Sequence, residues 1–430
     1  MNDPLKVAVA GLGTVGAGVV KLLADHKDLL AARAGRPVVV SAVSARSRTR
    51  DRGVDLSSYA WFDDPVALVR EAKADVVVEL IGGSDGPAKA VCETALDLGR
   101  PVVTANKALL AHHGLALAAR AEATGAGLWF EAAVAGGIPI IKALREGLAA
   151  NRIDALHGIL NGTCNYILTT MRESGRDFAD VLAEAQALGY AEADPGFDID
   201  GIDAAHKLAL LASLAFHVPV DLGGVSIQGI RHISSLDIRF ADELGYRIKL
   251  LAMARRTAEG VEQRVAPVMV PLDAPLAHVE GVNNAVVTEG DFVGRSVFQG
   301  RGAGAGPTAS AVVADLIDLA RGHKVPVFGV PSSALSVLPR AEPEDHVGRY
   351  YVRLMVVDRP GVFAEVAAAL RDEQVSMESV LQRARDPGET VPVVMTLHDT
   401  GEAAMTRALA RIGAIDAMVE PPRVIRIEQF

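Results

Sequence analysis

The densest run of ionisable side chains lies between residues 185 and 207, in AQALGYAEADPGFDIDGIDAAHK. It holds Glu192, Asp194, Asp198, Asp200, Asp203 and Lys207. The stretch 200–216, DGIDAAHKLALLASLAF, reads as a helix that becomes strongly apolar. Asp203 and Lys207, four residues apart, then share one face. On a solvated helix such a pair is an ordinary surface ion pair of small effect. On a helix apolar enough for the core, a lysine among carboxylates is a candidate general acid or base.

Two further segments carry polar chemistry. In GILNGTCNYILTTMR, 158–172, Asn161–Gly162–Thr163 opens a helix whose first N–H groups can hold a carboxylate. In LWFEAAVAGGIPIIK, 128–142, Glu131 ends an apolar run and Gly136–Gly137 break it.

The elements that position these groups begin at the N-terminus. The run LKVAVA, 5–10, is followed by Gly11, Gly13 and Gly16 in GLGTVG, and 17–31 reads as one helix. Strand, glycine turn and helix together form a dinucleotide site. Gly11 makes the turn, Gly13 admits a pyrophosphate, and Gly16 lets helix and strand pack closely, with Thr14 and Val15 at the helix start. The second strand, 37–44, ends without the acid that an NAD ribose usually meets. Arg46 and Arg48 follow, and a guanidinium suits a 2′-phosphate, so NADP is expected, with NAD still possible; the alternative is a solvated arginine loop. The run DVVVELI, 75–81, precedes Gly82–Gly83, and a helix at 87–98 leads to a strand at 101–104. This alternation predicts an α/β doubly wound parallel sheet, with Thr104 and Lys107 near the nicotinamide; Lys107 also fits a surface lysine at a helix start. Residues 248–300 read as antiparallel or mixed strands of a second sheet.

Composition bounds the rest. The 430 residues are half hydrophobic and carry a net charge of −10, which suits several domains and argues against nucleic acid as a partner. Cys92 and Cys164 read as buried small hydrophobes, and nothing reads as a membrane span or a secretion signal, so a cytoplasmic protein is expected.

After a polar linker at 337–348, residues 349–430 follow the order βαββαβ, a ferredoxin-like pattern, with a hairpin expected at Asp386–Pro387–Gly388. With Asp358–Arg359–Pro360–Gly361–Val362 at its first strand–helix turn, this unit resembles an ACT domain. That resemblance implies an amino-acid effector contacting Asp358, Pro360, Gly361 and Val362, or a unit that serves only assembly.

The 185–207 stretch resembles the signature of homoserine dehydrogenases, and so do GLGTVG, TANK, EAAVAGGIPII and the late run GRGAGAGPTASAVV. The resemblance spans nearly the whole chain and, with no aspartate-kinase segment ahead of it, implies the monofunctional type. It implies reduction of L-aspartate 4-semialdehyde to L-homoserine with NAD(P)H, in the branch leading to threonine, methionine and isoleucine. By the same resemblance, Lys207 is the general acid/base and Lys107 assists at the same oxygen. Glu192 and Asp203 hold the substrate ammonium, supported by Asp198, while Gly162, Thr163 and Tyr190 line the pocket. Gly304 approaches the cofactor. Glu131, Val134, Gly136 and Ile138 match a structural monovalent-cation loop for Na⁺ or K⁺, although a plain tight turn also fits. The implied domains are 1–131 for the dinucleotide, completed by about 305–335; 132–304 for catalysis and dimerisation; and 349–430 for regulation. L-Threonine is the expected effector and a homodimer or homotetramer the expected assembly. Removing 349–430 is expected to leave activity and abolish threonine sensitivity, provided the unit is not needed for folding or assembly. The reading from another class is a catalytically silent regulator that binds NADP and an amino acid.

Overall fold

The computed structural model describes residues 3–341, 346–382 and 388–430. Part of the expected linker, and Asp386 and Pro387 of the expected hairpin, lie outside these residues.

The first six strands are β1 (Leu5–Ala10), β2 (Val38–Ser44), β3 (Ala60–Phe62), β4 (Val76–Glu79), β5 (Val102–Thr104) and β6 (Leu128–Trp129). They form one sheet in the order β3-β2-β1-β4-β5-β6, and every pairing is parallel. This is the doubly wound order whose ligand crevice opens at the carboxyl ends of β1 and β4. Val7, Val9, Val76 and Val78 are fully buried, as strands covered on both faces must be. The helix expected over 17–31 is two helices, Thr14–Asp25 and Lys27–Ala34, because His26 leaves helical geometry (φ −111°, ψ 19°). The late helix Ala305–Arg321 packs its Ala309, Val312 and Leu316 into the same core as Val19 and Val20.

Among the described residues, ten further strands build a mixed sheet. They are β7 (Ile153–Ile159), β8 (Val225–Ile227), β9 (Tyr246–Arg256), β10 (Val261–Pro271), β11 (Asn283–Gly290), β12 (Gly294–Arg301), β13 (Val347–Val357), β14 (Met377–Leu381), β15 (Thr390–Gly401) and β16 (Arg423–Ile427). Their order is β12-β11-β7-β9-β10-β16-β13-β15-β14, with β8 also on β10. The last four strands, with helices Val362–Asp372 and Glu402–Gly413, make the βαββαβ unit. Its strand β16 pairs with β10 in parallel, so the C-terminal unit continues the middle sheet. Among the described residues no helix is long and apolar enough to cross a membrane. Cys92 and Cys164 are both buried.

Candidate functional site

β7 ends at Ile159, and Asn161 then caps the helix Gly162–Ser174 by accepting from Cys164 N. Gly201, at φ +86°, starts the helix Ile202–Phe216. Nearly every residue of that helix is buried, so its Asp203–Lys207 pair is not a surface bridge: Asp203 is 4 % and Lys207 8 % exposed. Lys207 Nζ donates to Asp203 Oδ2 at 2.7 Å and to the Leu160 carbonyl at 2.7 Å. Lys107 stands at the first position of the helix Lys107–Thr124 and brings its Nζ to 3.1 Å from Asp203 Oδ1. Asn161 Nδ2 donates to Asp198 Oδ1 at 2.8 Å and to Asp203 Oδ2 at 2.9 Å.

The electrostatics follow from this packing. Burial would raise the Asp203 carboxyl, but the ammonium groups of Lys207 and Lys107 hold it well below the usual carboxylate range. Burial lowers Lys207, opposed by the Asp203 charge. Burial also raises Asp198, against the hydrogen bond from Asn161. Two cations thus share one anion, and Lys107 keeps a third of its side chain open.

The other expected residues divide. Thr163 donates its hydroxyl to the Tyr190 carbonyl at 2.7 Å, and the Tyr190 ring lies 4.8 Å from that of Tyr166. Gly162 sits where a Cβ would meet the Val282 carbonyl at 2.8 Å. Glu192 is exposed. Asp194 caps the Gly196 N–H and Asp200 pairs with Arg231, so neither joins the lysine cluster.

A cleft of about 570 Å³ lies at the ends of β1, β2 and β4, lined by Gly11, Gly13, Arg46, Arg50, Arg52 and Gly82 among others. Gly11 has φ +101°, and a Cβ there would lie 2.5 Å from the Leu80 carbonyl; one on Gly16 would lie 2.0 Å from the Gly11 oxygen; one on Gly13 would meet nothing. Gly13 caps the Thr14–Asp25 helix without a side chain, which leaves N–H groups for an anion. Val15 is half-buried there. Arg48 lies over the Trp61 ring at 5.9 Å and is not in the cleft wall. Gly304 starts the Ala305–Arg321 helix, whose Ala305 oxygen lies 3.0 Å from a Cβ built on Gly18.

Sequence reasoning overlooked Glu79, Arg50 and Arg52, and gave Asn161 only as the opening of a helix, without its side-chain bonds to Asp198 and Asp203. Glu79 is fully buried at the end of β4. It accepts from Ile81 N, Gly82 N and the Thr104 hydroxyl at 2.7, 3.1 and 2.6 Å. Thr104 in turn accepts from Asn106 N, and Asn106 caps the Lys107 helix. Thr104 therefore points inward and fastens the strand end. An acid inside the apolar run DVVVELI was the available signal. Arg52 Nε donates to the Leu12 carbonyl at 3.0 Å, tying the arginine loop to the glycine turn.

The Glu131 carboxylate accepts from Ile141 N and Lys142 N, and its own N–H donates to Asp315. Burial and the Asp315 charge push Glu131 up to about 7. Ala135 and Gly136 both have positive φ, 54° and 45°. The buried carbonyls of Val134 and Gly136 accept no hydrogen bond among the described residues, which suits oxygen ligation of a cation. The Ile138 carbonyl accepts from Ile140 N. In the C-terminal unit a cavity of about 100 Å³ is walled by Asp358, Gly361, Val362, Phe363, Val366 and Gln382 among others, with Pro360 outside its wall.

A parallel sheet with a glycine turn, joined to a buried lysine–carboxylate cluster, defines a nicotinamide-dependent oxidoreductase. Comparison with known proteins gives the family. Residues 11–131 match the family model "Homoserine dehydrogenase, NAD binding domain", 139–317 match "Homoserine dehydrogenase" and 350–415 match "ACT domain". A homoserine dehydrogenase of Pseudomonas aeruginosa is 46 % identical over 436 residues, covering 99 % of each chain. The crystal structure of a homoserine dehydrogenase from Thiobacillus denitrificans superposes with a TM-score of 0.94 at 44 % identity, covering 99 % of each chain. A hyperthermophilic archaeal homoserine dehydrogenase in complex with NADPH matches at a TM-score of 0.64 and 28 % identity, covering 75 % of this chain and 99 % of that one. The chain belongs to the homoserine dehydrogenase family and is an NAD(P)-dependent oxidoreductase with a C-terminal ACT domain.

Proposed function

We propose that the chain interconverts L-aspartate 4-semialdehyde and L-homoserine in the cytoplasm with NADP(H) preferred, and that L-threonine acts through the ACT domain. The observation that carries the chemistry is the Lys107–Asp203–Lys207 cluster. Hydride addition to an aldehyde builds negative charge on oxygen, which ammonium groups stabilise and protonate. Lys207 is the general acid/base, and Lys107, more open, faces the same oxygen. Asp203 serves mainly by holding both lysines, since its oxygens already accept from them and from Asn161. The exposed Glu192 is left to take the substrate ammonium, with Asp198 supporting the network and Gly162, Thr163 and Tyr190 lining the pocket. NADP preference is supported by Arg46 and Arg50 in the cleft wall beside a β2 end that lacks an acid, and by the NADPH of the archaeal relative. A monovalent cation held by carbonyls of Glu131, Val134, Gly136 and Ile138 would stiffen the turn that packs on Gly302. The cavity beside Asp358 supports an amino-acid effector, and the edge strand β12 with the turn before it, where Val297 is 44 % and Phe292 90 % exposed, supports a homodimer or homotetramer.

The test is L-homoserine oxidation by purified protein, followed at the reduced-nicotinamide band with NADP⁺ and NAD⁺ in parallel, before and after adding threonine. Faster turnover with NADP⁺ and inhibition by threonine are expected. Equal turnover with both cofactors would remove the arginine argument. Unchanged rates with threonine would leave the ACT domain an assembly role.

A further inference from the structure

The Asn161 carboxamide has both its donors engaged and its oxygen bonded. Its oxygen accepts from Cys164 N at 2.8 Å, and its two protons go to Asp198 and Asp203. The network fixes the amide orientation, because a reversed amide would set its oxygen against two carboxylates. The neighbouring Leu160 carbonyl accepts from Lys207. One short segment at the end of β7 therefore holds both members of the Asp203–Lys207 pair.

We infer that Asn161 is a positioning residue for the proton transfer: its carboxamide fixes the Asp203 carboxylate between Lys207 and Lys107. The inference rests on the function proposed above. Asp198 and Asp203 are like charges, and the Nδ2 group is the neutral donor that bridges them. The charged groups facing Lys207 are Asp203 on its own helix, Lys107 from the facing helix and Asp198 from the short helix Gly196–Ile199 just before it. His206 lies beside them on the Asp203 helix and is held neutral-favouring by burial. Asn161 also starts the helix that carries Gly162 and Thr163, so the lysine cluster and the substrate loop share one anchor.

The experiment uses full-length Asn161→Ser and Asn161→Asp. Serine and aspartate both cap helices well, so the Gly162–Ser174 helix is kept while the double donor is lost. In both variants kcat for homoserine oxidation is expected to fall about a hundredfold, with NADPH binding unchanged. Oxidation needs neutral Lys207 as base, and an added carboxylate favours its ammonium form. In Asn161→Asp the alkaline-rising limb of kcat therefore moves up by about one pH unit, whereas in Asn161→Ser it does not. A serine variant with unaltered kcat would reduce Asn161 to a helix cap and overturn the inference. Wild-type protein inert toward homoserine would instead overturn the proposed reaction. The crystal structure of Asn161→Ser then decides the inference alone: a rotated Asp203 carboxylate supports it, and one still held between both lysines overturns it.

Discussion

Lys207 is pulled two ways. Burial favours its neutral amine, while Asp203 favours its ammonium, and the first effect exceeds the second. Its proton therefore leaves more readily than that of a solvated lysine, which suits an acid/base that works in both reaction directions. Replacing Lys207 by Met keeps the stem and removes the charge. We expect kcat to fall by about a thousandfold while NADPH binding, read by fluorescence, survives, because the cleft wall contains no part of Lys207. Normal turnover in that variant would remove Lys207 from the mechanism. At the other end of the site, Arg46→Ala should weaken NADPH by about tenfold and NADH much less. An equal loss for both cofactors would mean that the 2′-phosphate is read elsewhere.

At the scale of elements, the glycine turn makes opposite predictions for neighbouring positions. Gly16→Ala places a methyl 2.0 Å from the Gly11 oxygen, so helix and turn must part. Lower melting temperature and loss of NADPH binding are expected together. Gly13→Ala meets open space on the protein side and should melt like the parent, yet bind NADPH more weakly because the methyl fills the pyrophosphate approach. Binding retained in Gly13→Ala would place the pyrophosphate off this turn. The strand ends opposite are set by Glu79. Thr104→Val would leave Glu79 Oε2 and the Asn106 N–H without the hydroxyl that bridges them, at a cost of about 1–3 kcal/mol, and would loosen the start of the Lys107 helix. Chemical denaturation measures the first effect and kcat the second.

For the whole molecule, the C-terminal unit is built into the sheet rather than appended to it. Besides the β10–β16 pairing, Arg353 Nε donates to the fully buried Asp237 at 2.7 Å, and the Tyr351 hydroxyl reaches the same carboxylate at 3.1 Å. Removing 349–430 would expose Asp237 without its cation and uncover part of β10. The truncated chain should melt well below the parent, so a loss of threonine response in it would not isolate sensing. Arg353→Met makes the same point with the chain intact and should cost about 3–5 kcal/mol. A second contact depends on pH. Burial would raise Glu262, but the hydrogen bond with His346 and the charges of Arg264 and Arg255 hold it down at about 2. Its folded value lies below its unfolded one, so it stabilises the fold above about pH 4.5, and that contribution disappears as pH falls toward 2. In thermal melts Glu262→Gln should lose about 1–3 kcal/mol near neutrality and converge with the parent in acid. Parallel curves at every pH would contradict this.

Local patterns determined much of this protein. The spacing of Gly11, Gly13 and Gly16 between an apolar run and a helix specifies a dinucleotide turn, because backbone closes on Gly11 and Gly16 too tightly for a Cβ while Gly13 leaves the pyrophosphate approach open. The i, i+4 placement of Asp203 and Lys207 on an apolar helix specified their shared inward face. Tertiary structure decided the partners. Lys107 and Asp203 are distant in sequence and meet only because one helix begins just after the end of β5 and the other packs against it. Asn161 read as the start of a helix, and its second use became visible only when Asp198 and Asp203 folded back onto it. Arg46 and Arg48 are alike in sequence, yet Trp61 takes Arg48 while Arg46 faces the cleft. The βαββαβ order was legible, but the merging of β16 with β10 was not, since edge pairing between units leaves no periodic trace in either strand.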